Sequence, residues 1–377
     1  MTASHSPAQA EIAEPIAATK PEIRFCNAHD IAKVEAFIDA HWAKGHVLAH
    51  DRTLMDWQHK DAVTDRYTYA VAQRPGVDQL DAIIGFISTS QYDPALCQHN
   101  TIWFTTWMVS PLINAGGLGM RLLRFVQQNE PHTLVGTVGN NAAVAPVYKA
   151  LGYTTGILDR YVIANPSLQT FHLLQGHESI SKHPKTSDDI TIRMLDEADL
   201  STCGIDALIA HTATPKKTPA YLAARYLHHP RYSYQLLGIE QAGTLRALAV
   251  TRLCEAPAAD HKTATALRVV DWFGSDNAIG ITGEALSAYL TQTGAEYADL
   301  YVHGIAADAF KQSPWHKVEP DGPLVVPNYF EPFAASNTDI RFAIRHQDKQ
   351  TPALRLFKAD ADQDRPNTLP QQENSAS

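Results

Sequence analysis

Apolar residues in the first half of the chain recur with the spacings of alternating strands and helices. Residues 22–26 predict a short strand, and the apolar positions between Ile31 and Ile38 then follow at helical spacing behind Asp30, a suitable N-cap. Further strands are predicted over 67–72, 81–88, 101–109 and 133–138, and helices over 120–128 and 142–151. The order predicts a mixed α/β domain.

The second half shows a similar order of predicted strands and helices, and its first residues repeat a short pattern from the start of the chain, which we call the echo. Strands are predicted near 232–240, 245–254, 267–273, 299–302 and 340–346, with a helix near 282–293. The echo consists of Ile23-Arg24 with Ile192-Arg193, Asp30 with Asp199, and Ile31 with Leu200, all at one constant offset. An echo at the head of each half predicts a structural repeat.

The chain length and a proline-containing connecting segment predict two domains. A chain of 377 residues suits two domains of about 150 residues better than one. We predict a disordered tail over 1–20, a first domain over 21–165, a proline-containing linker over 166–189, a second domain over 190–367 and a polar tail over 368–377.

Composition argues against a nucleic-acid partner, a zinc site and a membrane span. With 31 Lys and Arg against 40 Asp and Glu, the net charge of −9 argues against a nucleic-acid partner. The four cysteines lack the spacing of a disulfide framework or a zinc site, so no metal ligands are predicted. The start lacks a signal-peptide pattern and no apolar stretch could span a bilayer, which predicts a cytoplasmic protein. Composition does not indicate the oligomeric state.

The first candidate for chemistry is the glycine-rich turn Asn114-Ala115-Gly116-Gly117-Leu118-Gly119. It joins a predicted strand to a predicted helix, so its backbone N–H groups and the positive end of the helix dipole could hold a pyrophosphate. No Gly-Lys-Ser/Thr follows, and Leu122 occupies the place of the third glycine of a dinucleotide-binding fingerprint. The alternative is a helix-entry turn that binds nothing.

The turn and its flanks resemble the GNAT superfamily of N-acetyltransferases. In that family a strand ends in Val-x-Pro and is followed by Arg/Gln-x-x-Gly-x-Gly/Ala, and Val109, Pro111, Gly117 and Gly119 match with the family's spacing. Asn114 departs from the pattern, because the family usually has Arg or Gln there.

A second GNAT pattern lies downstream, Asn-x-x-Ala-x-x-x-Tyr-x-x-x-Gly-Phe/Tyr. Asn141, Tyr148, Gly152 and Tyr153 match it, and Val144 replaces the alanine. The resemblance covers about residues 22–163. It implies an α/β (α+β) fold class with tandem GNAT-like domains, each a mixed, mostly antiparallel sheet flanked by helices.

The resemblance also implies a cofactor, acetyl-CoA or another acyl-CoA, and a small-molecule amine as acceptor. A backbone N–H of the strand ending at Met108 and Val109 would hold the thioester carbonyl, and Asn141 would contact the pantetheine arm. The pyrophosphate would lie on the backbone amides of Ala115 to Met120, namely Ala115, Gly116, Gly117, Leu118, Gly119 and Met120.

Candidates for proton transfer follow from the same resemblance. Tyr148 stands where many members place the acid that protonates the leaving sulfur, although core packing on its helix would also explain a tyrosine. His46 and His50 lie in a His- and Trp-rich segment where GNAT acceptor sites are usually built. Either could serve as the general base, since histidine titrates near neutral pH. Surface or structural histidines are the alternative.

The second half lacks an equivalent loop. The corresponding segment, 271–280, contains Asp271 and Asp276, which would repel a pyrophosphate, so a degenerate GNAT-like domain is predicted. The aspartates of the segment 360–367 do not satisfy a calcium loop, because Arg365 replaces its glycine. The segment 360–367 is predicted to be a solvated acidic tail or, alternatively, to contact a ligand or an interface.

Two segments near the end faintly resemble bacterial proteins of cell-surface polysaccharide synthesis. On that basis the preferred acceptor is an amino sugar or a nucleotide-linked amino sugar, acylated by direct attack on the thioester. The alternatives are a catalytically inactive tandem GNAT-like binding or scaffold protein, and an aminoacyl or peptide-type transferase.

Overall fold

The computed structural model describes residues 20–61, 64–180, 189–211, 214–257, 263–328, 334–347 and 353–368. Residues 1–19 of the predicted first tail, 369–377 of the predicted last tail and 181–188 of the predicted linker lie outside the described residues.

The first half alternates short helices with strands. Its strands are β1 (Glu22–Asn27), β2 (Arg66–Gln73), β3 (Ala82–Ser88), β4 (Thr101–Val109), β5 (Leu134–Val138), β6 (Thr154–Ile157) and β7 (Asp159–Ala164). Its α-helices are α1 (Ile31–Phe37), α2 (Val47–His50), α3 (Arg52–His59), α4 (Thr89–Tyr92), α5 (Leu118–Asn129) and α6 (Ala145–Ala150).

The second half repeats this plan with longer central strands. Its strands are β8 (Ile190–Leu195), β9 (Gln235–Gln241), β10 (Thr244–Pro257), β11 (Thr263–Gly274), β12 (Tyr297–His303), β13 (His316–Lys317), β14 (Arg341–His346) and β15 (Leu356–Phe357). Its α-helices are α7 (Glu197–Thr202), α8 (Ile205–Ile209), α9 (Pro219–Leu222) and α10 (Ala278–Thr293).

The strands form two sheets of the same order. The first sheet runs β1-β2-β3-β4-β5-β14-β6, and the second runs β8-β9-β10-β11-β12-β7-β13, with β15 pairing only with β12. The β4–β5 and β11–β12 pairs are parallel, whereas the other pairs are antiparallel. The predicted tandem of mixed, mostly antiparallel sheets flanked by helices is therefore confirmed.

The two halves exchange one strand. β14 of the second half lies between β5 and β6, with Phe342 opposite Val138 on one side and opposite Gly156 on the other. Reciprocally, β7 of the first half lies between β12 and β13, with Val162 opposite Asp299 and His316. The sheets therefore do not divide the chain where the predicted domains do, since each sheet contains a strand from the other half.

The echo between the two halves corresponds to the same local structure. Arg24 forms an ion pair with Asp30 behind β1, and Arg193 forms one with Asp199 behind β8 at 2.6 Å. In both places the residue before the helical turn forms a reciprocal capping box with this aspartate. The shared residues thus fix how the chain turns from the first strand into the first helix.

Each sheet packs its central helix on one face. Leu118, Leu122 and Leu123 of α5 are fully buried against the first sheet. Leu286 and Leu290 of α10 are buried in the same way against the second sheet. Within the described part of the chain, no helix has both the length and the apolar content that crossing a bilayer requires.

Three buried histidines predict a loss of stability in acid. Burial lowers the pKa of His46 to about 4, and the pKa values of His59 and His229 to about 3. The unfolded chain therefore binds protons below pH 6.5 that the folded chain does not bind. Proton uptake by the unfolded chain lowers the free energy of unfolding as the pH falls below 6.5, down to about pH 4 for His46 and about pH 3 for His59 and His229. At pH 5 we expect a loss of about 2 kcal/mol for each group.

Urea unfolding at pH 7 and pH 5, followed by tryptophan fluorescence, measures this loss. The change of unfolding free energy with pH should be smaller for His59→Gln. It should be unaltered for His99→Gln, because His99 is exposed. Equal pH dependence in wild type and His59→Gln would contradict the assignment.

Candidate active site

A cleft opens in the first sheet where two parallel strands separate. β4 and β5 pair from Thr101 opposite Leu134 only as far as Trp103 opposite Gly136. Beyond that point the strands diverge and enclose a cavity of about 550 Å³. We call this cavity the first cleft. It is lined by Trp42, His46, Phe104, Thr105, Thr106, Trp107, Thr137, Val138, Gly139, Asn140, Asn141, Ala143, Val144, Tyr148, Asp362, Gln363 and Asn367.

The predicted glycine loop leads from β4 into α5 beside this cleft. Gly117 precedes the helix with φ of +74°, a conformation that favours glycine. A side chain at Gly119 would approach Trp107 Nε1 to 3.1 Å and Val109 Cγ2 to 3.3 Å, so glycine lets the helix lie close to β4. The loop positions Asn114, Gly116 and Gly117 are exposed.

The start of α5 provides donors for an anion. The first N–H groups of a helix have no acceptor within the helix, and the helix dipole is positive at this end. Leu118 N–H donates to Ala115 O, and Arg121 N–H donates to Gly117 O. The amides of Gly119 and Met120 have no acceptor within the helix. These N–H groups can donate to an anion, and the glycine loop lies next to the first cleft without being among its lining residues.

Trp107 connects the loop to the predicted acid. Its Nε1 donates to Gly119 O at 3.1 Å, and its ring lies 5.9 Å from the ring of Tyr148. Tyr148 is 3% exposed and lines the first cleft, and burial raises the pKa of its phenol. A phenol with a raised pKa stays protonated at neutral pH, as a proton donor must.

Two polar side chains of the first cleft lack partners. Among the described residues, neither the Thr105 hydroxyl nor either polar atom of the Asn140 amide has a hydrogen-bond partner. Asn141, predicted to contact the pantetheine arm, lines the cleft but accepts from Ala143 N–H at 2.9 Å as a helix cap. Asn140, next to the predicted Asn141, thus offers an amide whose polar atoms have no partner among the described residues.

The two candidate bases lie in different surroundings. His46 lines the first cleft, and its Nδ1 accepts from Leu48 N–H at 3.2 Å. A neutral imidazole bonded in this way carries its proton on Nε2, which makes Nε2 a donor. His50 is exposed, lies 2.7 Å from Asp39 Oδ1 through its Nε2, and is not among the cleft-lining residues. The geometry thus favours a hydrogen-bond donor at His46 and gives His50 no contact with the cleft.

The segment after β15 reaches the first cleft from the second half. Val47 N–H donates to Asn367 O at 2.6 Å, and His46 forms a bridge with Thr368. Asp360 and Asp364 in this segment are 1% and 0% exposed. The reading of a solvated acidic tail is therefore wrong, because buried arginine and lysine side chains pair with these carboxylates.

The corresponding cleft of the second sheet is filled by the chain itself. β11 and β12 pair only from Leu267 to Val269, and β15 then pairs with β12 where β11 has diverged. The side chains of Leu356 and Phe357 are completely buried there. We call the place between β11 and β12 that these side chains fill the second cleft.

The loop that follows β11, beside the second cleft, is contacted by a side chain of the same chain. Arg355 donates to Gly274 O at 2.7 Å and forms an ion pair with Asp276. These atoms lie at the end of β11, where the first half has its glycine loop. The two halves thus share one fold but differ in whether the central cleft is open.

Solved structures show the same architecture. A GCN5-related N-acetyltransferase from Anabaena variabilis matches 87% of this chain and 73% of its own, with a TM-score of 0.53 and 10% identity. A conserved protein of unknown function from Enterococcus faecalis, described as a probable N-acyltransferase, matches 87% of this chain and 72% of its own, with a TM-score of 0.50 and 9% identity. No protein-family model and no curated protein matches the sequence. The chain therefore has the fold of the GCN5-related N-acetyltransferases, in a tandem arrangement.

Proposed function

We propose that the first half is an acyl-CoA-dependent N-acyltransferase acting on a small amine, with acetyl-CoA as the first candidate cofactor. The observation that carries the proposal is the first cleft, which stays open between β4 and β5 while the chain itself fills its counterpart. The GNAT-type fold and the two sequence patterns support the same class of reaction.

The described residues offer the contacts that such a cofactor needs. We propose that the backbone from Ala115 to Met120 holds the pyrophosphate and that Met108 and Val109 present the N–H for the thioester carbonyl. Asn140 and Thr105 supply unpartnered polar groups to the pantetheine arm, beside Asn141. Bound acetyl-CoA would supply an acyl group activated as a thioester.

Proton transfer is proposed to depend on two residues of the first cleft. Tyr148 would hold a proton at its phenol oxygen for the departing thiolate, and His46 Nε2–H would donate a hydrogen bond into the cleft. The amine nitrogen gains the acyl carbon, and the carbon–sulfur bond breaks. The nitrogen loses one proton and the sulfur gains one, so the products are an amide and a free thiol.

An amino sugar is the acceptor that we propose. Trp42 and Trp107 line the cleft with aromatic rings on which a sugar ring can stack, and Thr106 also lines it. A link to surface polysaccharide rests on two short segments and remains a hypothesis. An inactive binding protein is the alternative, since Asn114 lacks the charge that GNAT proteins usually have there.

Gly116→Asp should weaken binding of acetyl-CoA at least tenfold. A side chain at Gly116 would meet no atom within 4 Å, so the substitution adds a carboxylate beside the pyrophosphate site without a clash. Repulsion of roughly 1–3 kcal/mol between the two anions is the physical reason. Gly116→Ala is the matched control and should bind like wild type. Calorimetric titration with acetyl-CoA gives all three affinities.

The titration also separates the two functions. Binding by wild type that is lost in Gly116→Asp and kept in Gly116→Ala supports the acyltransferase. A wild-type protein that does not bind acetyl-CoA at millimolar concentration would rule it out and leave the inactive binding protein.

A further inference from the structure

The first cleft has an unusual balance of charge for a site that accepts small molecules. Among the described residues that line it, Asp362 is the one with a formal charge at pH 7, because His46 has a pKa of about 4. The other described lining residues are apolar, aromatic, hydroxyl or amide side chains. The cleft therefore presents one carboxylate and no lysine or arginine from these residues.

Asp362 is held in place by its neighbours. Arg365 Nη2 lies 3.1 Å from Asp362 Oδ2, and Gln363 Nε2 donates to Asp362 Oδ1 at 3.2 Å. Arg365 is itself 2% exposed and anchored through its Nε on Gln58 Oε1 at 3.1 Å. A carboxylate oxygen accepts more than one hydrogen bond, so both oxygens can still receive a donor from the cleft.

The segment that carries Asp362 belongs to the second half of the chain. The filling of the second cleft by Leu356 and Phe357 directs the chain toward the first cleft. Asp364, two residues beyond Asp362, is bound by Arg225 at 2.8 Å and by Tyr234 at 2.6 Å. The buried residues Leu356 and Phe357 before Asp362 and the bound residue Asp364 after it thus hold the segment that carries Asp362 in place.

We propose that Asp362 binds the ammonium group of the incoming acceptor and selects amines that carry no phosphate or carboxylate within the first cleft. The bound ammonium releases one proton to solvent before its nitrogen attacks the thioester, and the second proton is lost as the amide forms. This inference rests on the proposed acyltransferase function and narrows its substrate class. Simple amino sugars and polyamines fit the proposal, whereas a nucleotide-linked or phosphorylated amino sugar does not.

The selection has an electrostatic origin. A carboxylate at the wall attracts an ammonium group, and the attraction strengthens as the cleft excludes water. A phosphate entering the same cleft would meet that carboxylate and lose hydration. The guanidinium that pairs with Asp362, that of Arg365, is 2% exposed and is not among the described lining residues, so it does not replace the lost water. Asp362 is accordingly a specificity-determining residue.

The experiment uses the full-length protein with acetyl-CoA and three probe amines, namely glucosamine, glucosamine 6-phosphate and spermidine, and measures thiol release. We expect turnover of glucosamine or spermidine and a kcat/KM for glucosamine 6-phosphate at least tenfold below that for glucosamine. Asp362→Asn should raise the KM for the accepted amine about tenfold and leave the KM for acetyl-CoA within twofold. Asp308→Asn removes an equally charged but exposed side chain and should change neither value.

A second variant keeps the test decisive if Asp362→Asn does not fold. Asn367→Asp adds a carboxylate to the same wall without removing a donor to Asp362, and should lower the KM for the unphosphorylated amine and increase discrimination against glucosamine 6-phosphate. Equal or better use of glucosamine 6-phosphate, or unchanged kinetics in the variants, overturns the proposal. So does binding of acetyl-CoA without turnover of any probe. Absence of acetyl-CoA binding is a different result, which overturns the acyltransferase function itself.

Discussion

Asp364→Ala is expected to lower the free energy of unfolding by about 3–5 kcal/mol. The Asp364 carboxylate is completely buried and accepts from Arg225 at 2.8 and 3.0 Å and from Tyr234 at 2.6 Å. Alanine would leave the Arg225 guanidinium, itself 3% exposed, without its counter-ion in an apolar setting. Leaving one charge of a buried pair unpaired is far more costly than losing a surface pair.

Denaturant unfolding followed by tryptophan fluorescence measures this loss. Asp339→Ala is the matched control, because it removes an ion pair with Arg341 at the surface and should cost less than about 0.5 kcal/mol. A change below about 1 kcal/mol for Asp364→Ala would show that the buried pair does not hold the segment after β15 in place.

Tyr148→Phe should reduce kcat about 100-fold while acetyl-CoA affinity stays within twofold. The ring would keep its packing against Trp107 and Tyr153, at centroid distances of 5.9 and 5.0 Å. Only the phenol proton is lost, and no hydrogen bond within the described residues depends on it. Steady-state kinetics and calorimetry together distinguish loss of an acid from loss of binding.

Tyr153→Phe is the control for this variant. Its hydroxyl is bonded to Gln127, and Tyr153 is not among the residues that line the first cleft. Turnover should therefore remain close to that of wild type. An unchanged kcat in Tyr148→Phe, with binding retained, would remove Tyr148 from its proposed role.

Local patterns predicted most of the elements that build the first sheet. The strand-like apolar run over 101–109 predicts β4, and the apolar spacing of 120–128 predicts α5, because burial of one helix face imposes a period that the sequence displays. β6 and β7 were not predicted from the sequence. β6 has only four residues, and a single residue, Leu158, separates it from β7, so no glycine or proline marks the boundary between the two strands.

Strand exchange could not be predicted in this way. The centre of β14 (Arg341–His346) is a short apolar run, Phe342-Ala343-Ile344, of a kind that many buried strands share, and nothing in that run specifies the partner strands. Pairing is decided by contacts between residues about two hundred positions apart, which a local pattern does not contain.

The candidate site likewise has some features that local sequence predicts and others that depend on contacts between distant residues. Local spacing located the glycine loop and Tyr148, because backbone geometry and helical register are local properties. The aspartates 360, 362 and 364 look like a solvated charge run until Arg225 and Lys217 are brought beside Asp364 and Asp360. Asn141 caps the helical turn after β5, whereas neither polar atom of Asn140 has a partner among the described residues, and the residue type does not reveal this difference.

The exchange of β7 and β14 also affects how the protein is made. When β6 emerges from the ribosome, the place beside β5 that β14 will fill is still empty, and β14 follows roughly ten to forty seconds later at the usual rate of synthesis. Until then β5 and β6 have unpaired edges, which readily join other chains. The nascent first half therefore needs protection by a chaperone, or fast synthesis of the second half, to reach its sheet without aggregating.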